Sequence, residues 1–352
     1  MRRLQNGPAL NADLEALLDR FAGARVAVAG DLVADEYVYG ETDRISREAP
    51  VLIVRYERSE LKAGCAANAV LGLCALGATA VPVGVVGDDE AGARLVELLR
   101  AAGADTSHIL VARGEATATK TRILAGGKNT RRQQIVRLDR DGPPPPSAEF
   151  AQALSAALLE AAKQADAVLV SDYGLGTLPP LRATLARLSR RGKPVCVDAR
   201  YDLRGYRGMA LAKPNEVELE QAVGRRIHDD LSLLEQAGRE LLSALRAKAL
   251  LVTRGRSGMA LLRPSKKVAL LPAHGAREAV DVTGAGDTVM AATTLSLAVG
   301  ADALLAARLA NVAGALVVAK SGTATVSAVE LRAELRRARV EEPRLLPPRR
   351  RA

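Results

Sequence analysis

Aromatic side chains are nearly missing from this chain: Phe, Tyr and Trp make up 2% of its 352 residues, and Trp does not occur. Stacking platforms for single-stranded nucleic acid are therefore scarce. Cysteine is sparse as well, and Cys65, Cys74 and Cys196 form an odd count without CxxC spacing, in apolar or glycine-rich surroundings. That pattern argues against a disulfide framework and a zinc site and suits a reducing cytoplasm. No apolar run is long enough to cross a bilayer, since even AVLGLCALGATAVPVGVVG is broken by Gly and Pro into helix, turn and buried strand. The opening MRRLQNGPALNADLEALLDR has arginines but no apolar core of signal-peptide length, so export is not expected. The sequence also lacks GxxxxGK[ST] and a GxGxxG turn, which sets aside two common phosphate grips.

Against these absences stand 48% hydrophobic and 26% charged residues, enough apolar content to bury a large core. The formal charge of +10 points toward nucleic acid only until its placement is considered. Residues 336–352, RRARVEEPRLLPPRRRA, hold seven Arg against two Glu, about half of the excess. We expect one large domain over residues 1–338, a basic, flexible tail over 339–352, and neither a membrane nor a nucleic-acid partner.

Apolar runs of strand length alternate with stretches at helical spacing: RVAVAGD, a helix over Ala66–Leu76, TAVPVGVVGD, then AGARLVELLRAAG. The order repeats with DAVLVSDYG, LRATLARLSRRG, PVCVDAR, LSLLEQAGRELLSALRA and ALLVTRG. Such alternation predicts an α/β fold, a doubly wound and mainly parallel sheet flanked by helices. Ligands on these sheets bind at the carboxyl ends of strands, where Asp31, Asp88, Asp172, Asp198 and Arg254 fall. Two regions, 36–58 and 111–139, break the rhythm and are expected to form a small β lid, with Pro143–Pro146 as a stiff connector back to the core.

The segment DVTGAGDTVMAA, residues 281–292, sets a Gly-Ala-Gly turn before a run of small residues. A helix opening there leaves amides pointing outward at its positive end, where a phosphate is stabilised. Asp287 on the first turn is placed to take a proton from a hydroxyl attacking phosphorus. Alone, the same turn reads equally well as an N-cap aspartate with glycines that permit close packing. VAVAGDLVADEY adds Asp31 and Asp35, carboxylates able to accept sugar hydroxyls, and KAGCAANAVLGLCALG adds Gly64 and Asn68 where backbone can approach a ligand.

The ordered set GD, GCAAN, SDYG, KPNEVE, VTRG and DVTGAGD resembles the PfkB, or ribokinase-like, family of carbohydrate kinases over residues 25 to about 330. GETDRISREAPVLIV, SDYGLG and AKSGTATVS resemble its heptose 7-phosphate kinase branch, the kinase half of the bifunctional ADP-heptose synthesis enzymes. The resemblance implies ATP and Mg2+ as cofactors, Asp287 as general base, and Gly284, Ala285 and Gly286 as the anion hole. It implies Asn215 and Glu218 as organisers of magnesium and its waters, and Thr253, Gly255 and Asn311 on the nucleotide side. Asp281 and Thr283 match positions that hold a monovalent cation, K+, in relatives. Asp31, Asp35, Gly64 and Asn68 carry over as sugar contacts, with Asp172 close by.

A sugar phosphate also needs a cationic clamp, for which the lid offers Lys120, Arg122, Arg132 and Arg137. Three departures mark this chain: Cys65 replaces the second glycine of GGAAN, Leu175 replaces a lysine of the branch, and Arg200 stands in for another. The three histidines, His108, His228 and His274, are scattered and form no HxGH-type nucleotidyltransferase signature. The expected activity is phosphorylation of a sugar or sugar phosphate, foremost heptose 7-phosphate to the 1,7-bisphosphate, in the cytoplasm. A ribokinase or fructokinase type is the alternative substrate class, and a non-catalytic sugar- or nucleotide-binding regulator the alternative of another kind. The resemblance also implies a homodimer through the lid.

Overall fold

The run RVAVAG forms the first strand, β1 (Arg25–Gly30), and its alternation decides the layering. Val26 and Val28 enter one apolar cluster while Ala27 and Ala29 enter a second, and all four are fully buried. A strand buried on both faces belongs mid-sheet between helical layers. The computed structural model describes residues 7–127, 130, 132–143, 147–275 and 279–346. After β1 come β2 (Leu32–Ile45), β3 (Leu52–Cys65), β4 (Thr79–Gly87), β5 (Ile109–Ala112), β6 (Thr119–Gly126), β7 (Gln133–Arg140) and β8 (Ala167–Asp172). The later strands are β9 (Val195–Ala199), β10 (Leu211–Ala212), β11 (Leu250–Thr253), β12 (Met259–Leu262), β13 (Ala269–Leu271) and β14 (Arg344–Leu345).

The large sheet has the order β14-β13-β12-β11-β10-β9-β8-β1-β4-β5. Pairing is parallel from β5 through β11 and antiparallel from there to β14. The winding runs outward from β1 through β4 to β5, then restarts at β8 on the other side. This reversal opens a crevice between the carboxyl ends of β1 and β8. Asp31 follows β1 and Asp172 closes β8, so both stand at its mouth.

One sheet face is covered by the helices Ala66–Ala75, Ala285–Ala298 and Ala303–Val317, the other by Ala148–Gln164, Arg182–Arg190 and Leu231–Leu245. Fully buried leucines such as Leu14, Leu73, Leu154 and Leu241 anchor the two layers. Each contributes about 1.5–3 kcal/mol relative to an exposed side chain. Helices Glu90–Ala101, Ala148–Gln164, Leu231–Leu245, Ala303–Val317 and Ala328–Arg337 start with an Asp or Ser side chain that caps an amide. Ala66–Ala75 and Ala285–Ala298, which begin at the crevice, have no side-chain cap.

β2 leaves the sheet directly after Asp31, pairs with β3 in an antiparallel hairpin, and joins β6 and β7 in a four-stranded lid of order β3-β2-β6-β7. The lid thus starts at Leu32, earlier than expected, and Val111 and Ala112 lie instead in β5 of the large sheet. The stretch after residue 338 also differs from a free tail. Val340 and Leu346 are buried, and β14 adds to the sheet edge beside β13 because these apolar side chains find a core among the arginines. Residues 347–352 of the expected tail and residues 144–146 of the expected connector lie outside the described residues. Among the described residues no helix is long and apolar enough to cross a membrane.

Candidate active site

The turn before the Ala285–Ala298 helix works because Gly284 adopts φ +78°, a left-handed conformation that a side chain disfavours. A Cβ there would also come 2.6 Å from Asn68 Nδ2. Ala285 N–H turns back onto Val282 O at 3.2 Å, so this amide of the expected anion hole is already engaged within the turn. The uncapped start of this helix brings the positive end of its dipole to the crevice.

Asp287 sits in the first helical turn and is buried. Asn68 Nδ2 donates to Oδ2 at 2.8 Å and the Tyr173 hydroxyl donates to Oδ1 at 3.0 Å. Burial pushes the carboxyl up to about 6, with Asp198 adding to the rise while Asn68, Tyr173 and Lys213 oppose it. A carboxylate with that value is ionised at neutral pH and still basic enough to accept a proton.

Lys213, at the end of β10, is buried and pairs with Asp198 Oδ2 at 2.9 Å. Its Nζ lies 3.5 Å from the point where a Cβ on Gly286 would project, so the ammonium faces the open helix start. Burial opposes its charge, but Asp198, Glu218 and Asp287 outweigh burial and hold its pKa above the usual lysine value. Asn215 and Glu218 form a reciprocal capping box: Glu218 N–H donates to Asn215 Oδ1 and Asn215 N–H to Glu218 Oε2, both at 2.8 Å. Burial and the neighbouring Asp198 raise the Glu218 carboxyl.

Beside this motif, Thr253 N–H bonds Pro214 O at 3.0 Å, and Gly255 takes φ +51° in the turn that follows. Arg254 is buried and paired with Glu216 at 2.7 Å. Asn311 is also buried, and its Nδ2 donates to Pro272 O at 2.7 Å. Asp281 braces two loops, with Oδ1 accepting from Thr283 N–H at 2.9 Å and Oδ2 from Gly322 N–H at 3.0 Å. Against partial burial, those amides hold its carboxyl below the ordinary range.

On the opposite wall, Asp31 is buried and its Oδ2 accepts from the amides of Tyr173 at 2.8 Å and Leu175 at 3.2 Å. Burial raises its pKa despite those bonds. Asp35 pairs with Arg122 Nη1 at 2.8 Å, and a Cβ on Gly64 would lie 2.8 Å from Asp35 Cγ, so glycine is required for that approach. Lys120 reaches Cys65 Sγ at 3.3 Å and the face of Tyr173 at 5.4 Å. Cys65 itself holds φ +53°, a conformation that favours the glycine it replaces, and burial pushes its thiol up to about 12. A cavity of about 210 Å³ opens beside Asp31, with Leu32, Arg113, Phe150, Leu175 and Thr177 among its walls.

Not every expected residue converges here. Asp172 turns aside, accepting from Gly174 N–H at 2.9 Å and from the Tyr206 hydroxyl. Arg137 donates to Asp139 at 2.7 and 2.8 Å on the exposed strand β7, and Arg132 pairs with Glu57. Arg200 is exposed and lies over the Tyr201 ring. Three residues that converge were given no role in the sequence reading: Tyr173, Asp198 and Lys213. The motifs SDYG and KPNEVE contain two of them, and Asp198 was marked only as a strand end, so the signal was position in a motif without a partner to point at.

A buried carboxylate at an uncapped helix start, with a buried ammonium beside the same turn, suits phosphoryl transfer to an alcohol. The pfkB family carbohydrate kinase profile matches residues 24–330. The chain belongs to the pfkB family, and it is a carbohydrate kinase.

Among curated relatives, it is 45% identical over 322 residues to the bifunctional protein HldE of Methylococcus capsulatus, covering 90% of this chain and 64% of that protein. It is likewise 45% identical over 320 residues to the bifunctional protein HldE of Halorhodospira halophila, covering 90% of this chain and 65% of that protein. The chain therefore spans less than two thirds of the length of these relatives. Among solved structures, Arabidopsis thaliana ribokinase complexed with ribose and ATP superposes with a TM-score of 0.70 at 21% identity, covering 89% of this chain and 99% of that one. Escherichia coli phosphofructokinase-2 in complex with potassium gives 0.71 at 20%, with the same coverage of 89% and 99%. At these identities the likeness is one of fold, and it confirms the ribokinase-like architecture.

Proposed function

We propose that this kinase transfers the γ-phosphoryl group of ATP to the C1 hydroxyl of heptose 7-phosphate, a cytoplasmic step that supplies ADP-heptose for lipopolysaccharide. The observation that carries the chemistry is Asp287, buried and held on both oxygens by Asn68 and Tyr173, with burial pushing its carboxyl up to about 6. The choice of heptose is supported by the motifs of that branch together with the 45% identity to HldE relatives.

In this reading the sugar lies between Asp31 and Asp287, its reacting hydroxyl within reach of the base. Asp287 takes the hydroxyl proton as the oxygen attacks phosphorus. The helix start at Gly286 and the Lys213 ammonium meet the negative charge that develops on the migrating group. Closing the lid keeps water, a competing acceptor, away from the base.

The residues present fit magnesium: Glu218 is a crowded carboxylate, raised by burial and by Asp198, which a divalent cation relieves. Asn215 and Glu218 would hold the ion through water, and bound there it would offset the charge of the triphosphate. Asp281 and Thr283, tied to the Gly322 loop, are the matching place for K+. The lid exposes Ile45, Leu52, Tyr56 and Leu138, an apolar surface that supports a homodimer joined lid to lid. Sedimentation of the chain as a monomer at micromolar concentration would remove that part of the reading.

The test of the substrate is ATP consumption with magnesium and potassium present, across heptose 7-phosphate, fructose 6-phosphate, ribose, fructose and adenosine. Turnover confined to heptose 7-phosphate is expected. Preference for any other member overturns the heptose assignment and moves the chain to another sugar within its family.

A further inference from the structure

The turn after β8 carries one residue that touches both ends of the crevice. Tyr173 donates its main-chain N–H to Asp31 Oδ2 at 2.8 Å and its hydroxyl to Asp287 Oδ1 at 3.0 Å. Its ring packs against Val33, Cys65 and Ala118 at the root of the lid, and Lys120 lies over its face at 5.4 Å. We propose that Tyr173 is the positioning residue of this kinase: its phenol orients the catalytic carboxylate while its backbone fixes the carboxylate at the sugar end. The proposal rests on the reading of Asp287 as the base.

The chemistry requires a donor on Asp287 that leaves the proton-accepting lone pair free. Asn68 serves Oδ2 from the Ala66–Ala75 helix, and Tyr173 serves Oδ1 from the opposite wall. Each oxygen keeps a second lone pair, so the substrate hydroxyl finds an acceptor whose plane is already fixed by two bonds. The charged groups around Asp287 are Asp198, which raises its pKa, and Lys213, which lowers it. Around Tyr173 stand Asp287, Cys65, Asp198 and Lys120. The Asp287 charge first, then burial, keep the phenol protonated far above its ordinary range, so it remains a donor at every working pH.

The sign of the effect follows. A donor to the carboxylate favours its ionised form, and without the phenol the Asp287 pKa climbs from about 6. Tyr173→Phe keeps the ring, the lid-root packing and the main-chain bond to Asp31, and removes one hydroxyl. With heptose 7-phosphate and MgATP, kcat is expected to fall roughly tenfold at neutral pH, with KM for the sugar little changed, because the deleted bond acts on the base and not on substrate. The acid limb of the kcat/KM profile moves to higher pH.

A second variant, 3-fluorotyrosine placed at residue 173, makes the phenol a stronger donor and moves the limb the opposite way. Carbon-13 NMR titration of Asp287 in the sugar-free enzyme reads the same two shifts without any substrate. An unmoved Asp287 titration in both variants overturns the positioning role. If Asp287→Asn retains wild-type turnover, the base reading itself fails, a result distinct from a silent Tyr173→Phe.

Discussion

The crevice and the lid are built on opposite principles. At the crevice, Asn68, Tyr173, Asp198, Lys213 and Asp287 arrive from five separate elements, and the strands that deliver them are buried on both faces. In the lid, β7 is exposed at every residue, and three of the lid's cations pair with acids on the lid strands: Arg122 with Asp35, Arg132 with Glu57, Arg137 with Asp139. Charges fixed before substrate arrives cost no reorganisation during reaction, so the crevice is suited to chemistry. Charges already satisfied by neighbours must exchange partners to hold a ligand, so the lid is suited to closure and selection.

The sharpest break in that comparison is removal of the fixed charge itself. Asp287→Asn keeps size and burial but cannot take a proton, and kcat is expected to drop by about 10²–10⁴ with the melting temperature near that of the wild type. The intact enzyme should lose kcat/KM as pH falls through about 6, because the carboxyl is raised to that value and protonation abolishes the base. Stability linked to this group runs the other way: a raised acid binds its proton more tightly when folded, so its charge costs stability above pH 6 and the cost fades below. Wild-type turnover by Asp287→Asn, or a flat profile across pH 5–7, would refute the base role.

How far the crevice was legible in sequence depends on whether the signal was periodic or spatial. Strand ends follow from apolar runs, so the sequence places Asp31, Asp172 and Asp198 at the carboxyl edge. Which neighbour in a turn faces inward is a matter of three-dimensional packing, and in SDYG it is Tyr173 that reaches Asp287 while Asp172 bonds Tyr206. Asn215 and Glu218 form a capping box that also sets a crowded carboxylate near Lys213. In the lid, the partner of Arg137 was visible in principle, since residues two apart on a strand share a face and Asp139 is that neighbour. After residue 338 the arginines dominate the sequence pattern and mask Val340 and Leu346, which are buried.

A smaller effect is expected where the crevice charge assists the transition state without taking a proton. Lys213→Met removes the ammonium facing Gly286 and is expected to lower kcat by about 10²–10³, the scale of losing one preorganised donor. It also leaves the half-buried Asp198 beside Glu218 without its cation, so the single variant should melt at lower temperature. Adding Asp198→Asn restores the melting temperature but not the rate. A double variant that recovered turnover would show that Lys213 serves only to neutralise Asp198.

The smallest effects separate the lid residues from one another. Arg122 is mostly shielded and pairs with the buried Asp35, next to Gly64 at the crevice wall, whereas Arg137 is half exposed and its partner Asp139 lies on the same outer strand. Arg122→Ala is expected to raise KM for the sugar phosphate roughly tenfold, the range for losing one charge-assisted contact. It should leave kcat at saturation closer to wild type. Arg137→Ala should change either constant by less than about twofold, since an exposed pair contributes little and does not reach the crevice. Equal losses in the two variants would mean that closure carries β7 onto the substrate, so that the exposed half of the lid is part of the binding site once ligand is present.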